Sequence, residues 1–383
     1  MLVKTMSQTV PPNAPKVPVP QPGIADLAPY VPGKAPIAKD SAQEIFKLSS
    51  NESALGPSPK AMAAFEAATG DLHLYPDGSA AGLREAIGNE YGLNPDHLIC
   101  GAGSDEILQL LCQAYLGVGD NIVQSAHGFL VYAIAAQACG AQVRFAEETD
   151  LTADIDAMLA LIDERTKIIF LANPNNPTGT WLSKDQIAQL HANLPPHVLL
   201  VLDAAYAEYM TNDAYEPGID LVSRNRNVVM TRTFSKIYGL GALRLGWAYG
   251  PPGIIDILNR VRGPFNVSAP AQLAGIAAVG DHEFVEKNRQ HNEHERAVMT
   301  QRLRGLGLRV QDSAGNFLLV HFEQVPGHAA SDMQAYLAKE GVMVREMTAY
   351  GLPDALRISI GESKANHRCL DLLDARLGEN GNG

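Results

Sequence analysis

Several features are scarce or missing in this sequence, and each absence narrows what the protein can be. The 383 residues contain only four cysteines, Cys100, Cys112, Cys139 and Cys369, and their wide spacing excludes the C-x-x-C pair of zinc or redox sites. No apolar run approaches the roughly 20 residues that a membrane helix requires. The N-terminus also lacks an apolar signal core. We therefore expect a cytoplasmic protein with reduced thiols.

Positively charged residues are also fewer than negatively charged ones. The chain has 30 Lys and Arg against 42 Asp and Glu, which gives a net charge of -12. Such a balance repels phosphate backbones and anionic lipid headgroups, so we expect no nucleic-acid partner and no membrane partner. An anionic ligand would need a local basic site.

Familiar catalytic motifs are missing as well. The sequence has no Gly-x-Ser-x-Gly elbow and no phosphate-binding Gly-Lys-Ser/Thr loop. In the segment from Gly239 to Arg244, the arginine stands where the dinucleotide fingerprint requires glycine, which argues against nicotinamide binding. His291 and His294 lie one helical turn apart among charged residues, and a solvated helix face explains them better than a metal site. We predict no bound metal.

Proline, by contrast, is concentrated near the N-terminus, where nine prolines fall between Pro11 and Pro36. This density excludes a helix or a central strand and favours extended backbone. We predict a flexible, proline-rich segment over 1–22. Residues 23–50 are predicted to form an arm that joins a smaller domain.

The middle of the chain alternates β-rich runs with helical patterns, which predicts an α/β fold with a mostly parallel sheet. The runs within 168–171 and 198–202 are apolar without alternation, as expected for strands buried on both faces. The predicted strands are Asn121–Ser125, Gln142–Ala146, Lys167–Leu171, Val198–Leu202 and Asn227–Thr231. The predicted helices are Glu106–Tyr115, Tyr132–Cys139, Ile155–Ile162 and Lys184–Asn193.

The pattern changes after Asn266, and we predict two domains: a large one over 51–265 and a small α+β one over 266–383. The small domain is predicted from a long polar helix, His282–Leu306, a second helix, Ser331–Lys339, and strands at Phe317–His321 and Arg357–Ile360.

Three successive predicted strands run into polar residues. The first is followed by Asn173-Pro174-Asn175-Asn176-Pro177-Thr178-Gly179, the second by Asp203-Ala204-Ala205-Tyr206, and the third by Thr231-Arg232-Thr233-Phe234-Ser235-Lys236. Ligands of open α/β sheets gather at the carboxyl ends of strands. Each segment alone could be a turn, a helix cap or a surface pair. Their occurrence together predicts a site.

This series, with Arg244 eight residues after the lysine, resembles the fold-type I pyridoxal-5′-phosphate-dependent aminotransferases from about residue 22 onward. Within them it most resembles the histidinol-phosphate aminotransferases. The matching segments are 47–52, 55–59, Tyr75-Pro76-Asp77, 101–106 and 356–361.

The resemblance implies a cofactor site around Lys236. Lys236 would hold the cofactor's aldehyde and move a proton, Asp203 would keep the pyridine nitrogen protonated, and Asn176 and Tyr206 would contact the phenolic oxygen. Phe129 would stack on the ring, where many relatives have tyrosine. The cofactor's phosphate would lie against a helix N-terminus and two further side chains: Gly103, Ser104, Asp105, Ser235 and Arg244. Tyr75 would reach the phosphate of a partner subunit, which implies a homodimer with shared sites.

The same resemblance assigns substrate binding to Arg357, Arg345, Asn51 and Tyr30. Two arginines suit an enzyme that accepts glutamate in one half-reaction and a phosphate ester in the other. The implied reaction converts histidinol phosphate and 2-oxoglutarate to imidazole-acetol phosphate and glutamate, in histidine biosynthesis. An aromatic amino acid aminotransferase and a decarboxylase of a phosphorylated amino acid remain alternatives.

Overall fold

The computed structural model describes residues 23, 24, 27 and 44–378. The predicted segment 1–22, most of the predicted arm and Tyr30 lie outside these residues. The helices are α1 (Pro59–Ala67), α2 (Ala81–Tyr91), α3 (Ser104–Tyr115), α4 (Leu130–Ala138), α5 (Ile155–Ala160), α6 (Lys184–Ala192), α7 (Ile219–Arg224), α8 (Pro252–Val261), α9 (Ala269–Val279), α10 (His282–Gly305), α11 (Ala330–Lys339) and α12 (Ser363–Gly378).

In the part of the chain that the structure describes, the strands form one large sheet, one medium sheet and two short pairs. They are β1 (Phe46–Lys47), β2 (Leu98–Gly101), β3 (Asn121–Ser125), β4 (Gln142–Ala146), β5 (Glu148–Thr149), β6 (Thr152–Ala153), β7 (Thr166–Ala172), β8 (Leu199–Asp203), β9 (Val228–Thr233), β10 (Gly246–Tyr249), β11 (Arg309–Val310), β12 (Phe317–His321), β13 (Val342–Met343), β14 (Arg345–Met347) and β15 (Leu352–Ser359).

The large sheet has seven strands in the order β2-β10-β9-β8-β7-β3-β4. The strands β4, β3, β7, β8 and β9 run parallel, and β10 is antiparallel to both of its neighbours. Apolar side chains of β7 and β8 are buried on both faces, because helices cover the two sides of such a sheet. This confirms the predicted α/β fold with a mostly parallel sheet.

The predicted strands agree closely with those observed. β3 and β4 match the predicted strands residue for residue. The bounds of β7, β8 and β9 differ from the predicted ones by one or two residues at each end. The strands β2 and β10 of the large sheet are absent from the predicted set. The predicted start of α3 is Glu106, whereas the helix begins at Ser104.

Capping serines and first-turn prolines mark the starts of several helices. Ser183 and Gln186 form a reciprocal capping box at the start of α6, and such a cap satisfies two backbone donors that would otherwise lack partners. Ser58 and Ser268 accept hydrogen bonds from backbone N–H groups at the starts of α1 and α9, and each helix has a proline in its first turn.

The C-terminal part contains a four-stranded antiparallel sheet in the order β11-β12-β15-β14. β15 is longer than the predicted strand and begins at Leu352. β1 lies within the predicted arm over 23–50 and pairs in parallel with β13, so the C-terminal end of that arm contacts this part of the molecule. The helix α9, which follows the predicted boundary at residue 266, packs against α1 and α2. The two-domain division stays a prediction.

One face of α10 is packed against other residues, whereas a solvated helix face is predicted from the sequence around His291 and His294. The imidazole of His291 lies 3.0 Å from the carbonyl oxygen of Gly361. One turn further, the buried carboxylate of Glu295 accepts hydrogen bonds from Ser363 and Asn366. Packing of α12 against α10 buries this face, whereas His294 is exposed. Within the described residues, no helix is long and apolar enough to cross a membrane.

Candidate active site

A cleft of about 240 Å³ lies where the carboxyl ends of β2, β3, β7, β8 and β9 meet. The predicted site residues that line it are Asn51, Ser104, Asp105, Phe129, Asn176, Asp203, Tyr206, Ser235, Lys236, Arg244, Arg345 and Arg357. The remaining lining residues are Ser49, Ser50, Ala172, Pro174, Ala205 and Thr233. Parallel strands bring these distant segments to one edge, which is where open α/β sheets bind ligands.

Asp203 is the last residue of β8 and lies at the floor of the cleft, 5% exposed. Burial raises the pKa of its carboxyl group to about 6. The pKa rises no further because the hydroxyl of Tyr132 donates to Oδ2 at 2.7 Å and that of Thr231 donates to Oδ1 at 3.1 Å. A buried carboxylate of this kind can hold a proton on a ligand nitrogen.

Lys236 follows β9 and turns its amine into the cleft. The Nζ atom donates to the carbonyl oxygen of Ser50 at 3.4 Å and lies 5.7 Å from the ring centroid of Tyr206. The hydroxyl of Tyr206 accepts a hydrogen bond of 3.0 Å from Asn51 Nδ2. An amine and a phenol therefore approach the same space from the strand ends.

The other end of the cleft is suited to an anion. Gly103 caps α3 with a φ of 83°, and a Cβ there would lie 2.7 Å from Arg244 Nη2. A side chain at this position would displace the end of the Arg244 side chain, and the positive φ also favours glycine. The guanidinium forms a 2.9 Å ion pair with Asp105 and remains half exposed. The N-terminus of α3, Arg244 and Ser235 together fit a phosphate group, since unpaired backbone N–H groups and a cation favour negative charge.

Arg357 points inward from β15 although its strand alternates in sequence. Its side chain donates to Asn176 Oδ1 at 2.6 Å and to the carbonyl oxygen of Ser49 at 2.9 Å. Both acceptors are neutral, and the buried Nε atom has no hydrogen-bond partner among the described residues. Arg345 of β14 lies directly opposite Arg357 of β15 in the sheet. It also lines the cleft. This corner can bind a carboxylate or a phosphate.

Tyr75 does not line the cleft of its own chain. Its side chain is 82% exposed and stacks on the ring of Phe265 with a centroid distance of 4.7 Å. Gly103 lies directly beside the cleft, and Tyr30 lies outside the described residues.

Two residues outside the predicted site, Tyr132 and Thr231, both donate hydrogen bonds to the carboxylate of Asp203. Thr231 appeared only as part of the segment before Lys236. One signal was present for Tyr132: it follows Phe129 by three residues, which is about one helical turn. Its partner Asp203 is 71 residues away in the chain, and only the packing of α4 beside the sheet brings the two together.

Comparison with known proteins agrees with this geometry. Residues 43–373 match the model of the family described as aminotransferase class I and II. The histidinol-phosphate aminotransferase of Rhodopseudomonas palustris (strain BisB5) is 53% identical over 356 residues, covering 93% of this chain and 97% of the relative. The corresponding protein of Rhodospirillum centenum is 55% identical over 344 residues, covering 90% and 94%.

Solved structures show the same fold. The histidinol-phosphate aminotransferase of Sinorhizobium meliloti in complex with pyridoxal-5′-phosphate is 27% identical, with a TM-score of 0.82, covering 88% of this chain and 92% of that one. An aspartate aminotransferase of Thermus thermophilus, 21% identical, shares the fold with a TM-score of 0.77, covering 89% and 100%. The chain belongs to the class I and II aminotransferases.

Proposed function

We propose that this protein is a pyridoxal-5′-phosphate-dependent histidinol-phosphate aminotransferase of histidine biosynthesis. It would transfer an amino group between histidinol phosphate and 2-oxoglutarate, giving imidazole-acetol phosphate and glutamate. The observation that carries the proposal is one cleft that holds Lys236 together with the two arginines Arg345 and Arg357. The relatives named for this reaction, more than half identical over nine tenths of the chain, support it.

The residues present fit the cofactor. When bound, pyridoxal phosphate supplies an aldehyde that links to amines and a protonated ring that withdraws electrons from the reacting carbon. Lys236 would bind that aldehyde and later move a proton between the substrate's Cα and the cofactor's C4′. Asp203 would hold the proton on the ring nitrogen, and Ser104, Ser235 and Arg244 would bind the phosphate.

Two further contacts would orient the ring. Arg357 donates to the oxygen of the Asn176 amide, which leaves the amide nitrogen to donate to the phenolic oxygen beside Tyr206. Phe129 directly precedes α4 as its N-cap residue, lines the cleft, and would cover one face of the cofactor ring.

The substrate anion is proposed to bind Arg357, with Arg345 beside it. Histidinol phosphate has no α-carboxylate, so its phosphate must use a site that glutamate fills with a carboxylate. A two-pronged guanidinium contact suits both anions. Asn51 joins this corner to Tyr206, because its backbone N–H donates to Ser359 Oγ at 2.8 Å, two residues beyond Arg357.

We propose a homodimer with shared active sites. Leu72, Leu74, Tyr75 and Phe265 are 68%, 59%, 82% and 45% exposed in the single chain, and apolar side chains grouped in this way are typical of an interface. Phe265 also has a φ of 55°, and a bulky residue keeps such a backbone only where its surroundings impose it. Tyr75 would then reach the partner's phosphate site. We place the enzyme in the cytoplasm, where free thiols persist.

The first test is an absorbance titration of the purified protein with histidinol phosphate, phenylalanine and glutamate. Histidinol phosphate and glutamate are expected to change the spectrum of the bound cofactor, and 2-oxoglutarate to restore it. A change with phenylalanine alone would favour the aromatic alternative. Release of carbon dioxide would favour the decarboxylase, and a protein without a visible absorbance band would disprove the cofactor assignment.

A further inference from the structure

The carboxylate of Asp203 is held from two sides by side chains outside the predicted site. Tyr132, which is completely buried, donates to Oδ2 at 2.7 Å, and Thr231 donates to Oδ1 at 3.1 Å. Each carboxylate oxygen therefore has one donor among the described residues. The remaining lone pairs of the carboxylate are the ones that can meet a ligand nitrogen.

We propose that Tyr132 is a positioning residue that orients the Asp203 carboxylate and the Phe129 ring together. The inference rests on the proposed roles of Asp203 beneath the cofactor's ring nitrogen and of Phe129 on its face. Tyr132 touches neither the cofactor nor the substrate in this assignment.

The geometry around Tyr132 makes it a rigid link. Its ring stacks on Phe170 of β7, with centroids 4.7 Å apart and planes 8° from parallel. The edge of the same ring system meets Phe129, with centroids 5.7 Å apart at 84°. Stacked and edge-to-face arrangements are the ones that aromatic pairs prefer, and each is favourable beyond the area it buries. A single side chain therefore couples the carboxylate to the aromatic wall of the cleft.

The electrostatics agree with this assignment. Burial is the largest influence on the pKa of Asp203 and raises it, while hydrogen bonds from Tyr132 and Thr231 lower it. Asp105 of α3 raises the pKa further, and Lys236 lowers it. Burial and the neighbouring Asp203 hold the pKa of Tyr132 well above its usual range. Tyr132 therefore stays protonated and keeps donating.

The test compares Tyr132→Phe with Tyr91→Phe in the holoenzyme. Tyr91 is a matched control because its ring also stacks on an aromatic neighbour, Trp247, while its hydroxyl bonds to Tyr238 at 2.7 Å and to Arg232 at 3.2 Å rather than to Asp203. Without the donor, the pKa of Asp203 rises and the carboxylate is protonated at higher pH. We expect the dissociation constant of pyridoxal phosphate, measured by equilibrium dialysis, to increase about tenfold in Tyr132→Phe.

The second readout is the pH dependence of the bound cofactor's absorbance and of kcat/KM. The acidic limb of both curves is expected to move upward by about one pH unit in Tyr132→Phe and to stay in place in Tyr91→Phe. A lower melting temperature with unchanged cofactor affinity and pH profile would show that Tyr132 only fills space, which overturns the proposal. Asp203→Asn separates the two hypotheses: if it too leaves affinity and profile unchanged, the assigned role of Asp203 is wrong.

Discussion

The side chain of Arg357 is buried and already oriented for binding an anion. The residue is 6% exposed, and its guanidinium is oriented by two neutral oxygen atoms, those of Asn176 and Ser49. A buried cation without an anionic partner is unfavourable by itself, and an incoming carboxylate or phosphate relieves that cost. The orientation is already present before the substrate arrives, which reduces the entropy lost on binding.

Arg357→Ala should therefore weaken both anionic substrates. We expect kcat/KM to fall roughly a hundredfold for glutamate and for histidinol phosphate, because a two-pronged contact to a charged group contributes about 3 kcal/mol. Steady-state kinetics with each substrate measures the effect. Arg368→Ala is a matched control, since Arg368 forms an exposed ion pair with Glu340. A loss confined to one substrate would show that the two anions bind different residues.

The short strand β10 influences the position of a neighbouring element, the start of α3. It has four buried residues and runs antiparallel between β2 and β9. Its first residue, Gly246, lies against the start of α3, where a Cβ would be 2.2 Å from the backbone nitrogen of Ser104. The position of the proposed phosphate-binding turn thus depends on the absence of a side chain in a neighbouring strand.

Gly246→Ala is expected to displace the start of α3 and to weaken cofactor binding. Overpacking of this kind costs about 1–3 kcal/mol, so both the melting temperature and the affinity for pyridoxal phosphate should decrease. Gly253→Ala serves as the control, because nothing lies within 4 Å of a Cβ at that position in α8. Unchanged cofactor affinity in Gly246→Ala would mean that this turn does not bind the phosphate.

At the scale of the whole molecule, the chain by itself leaves apolar side chains exposed around Tyr75 and Phe265. It also has a local basic corner within a protein of net charge -12. The first feature supports the proposed homodimer, and the second would concentrate the proposed anionic substrates at one cleft.

Shared active sites can be tested by mixing one inactive variant with one of reduced activity. Lys236→Ala should abolish turnover, and Tyr75→Ala should reduce it by weakening the phosphate site of the partner. After unfolding and refolding together, a mixed dimer contains one site with both residues intact, so about a quarter of all sites should recover. Activity is compared with that of each variant refolded alone. No gain in the mixture would contradict the shared site.

The sequence by itself determined the alternation of strands and helices, because buried parallel strands leave continuous apolar runs such as 168–171 and 198–202. It also determined which polar residues end those strands, including Asp203 and Lys236. Tertiary structure alone decided three things: the insertion of β10, the inward direction of Arg357 and the hydrogen bond from Tyr132 to Asp203. Each depends on contacts between segments far apart in the chain, and local periodicity carries no information about such contacts.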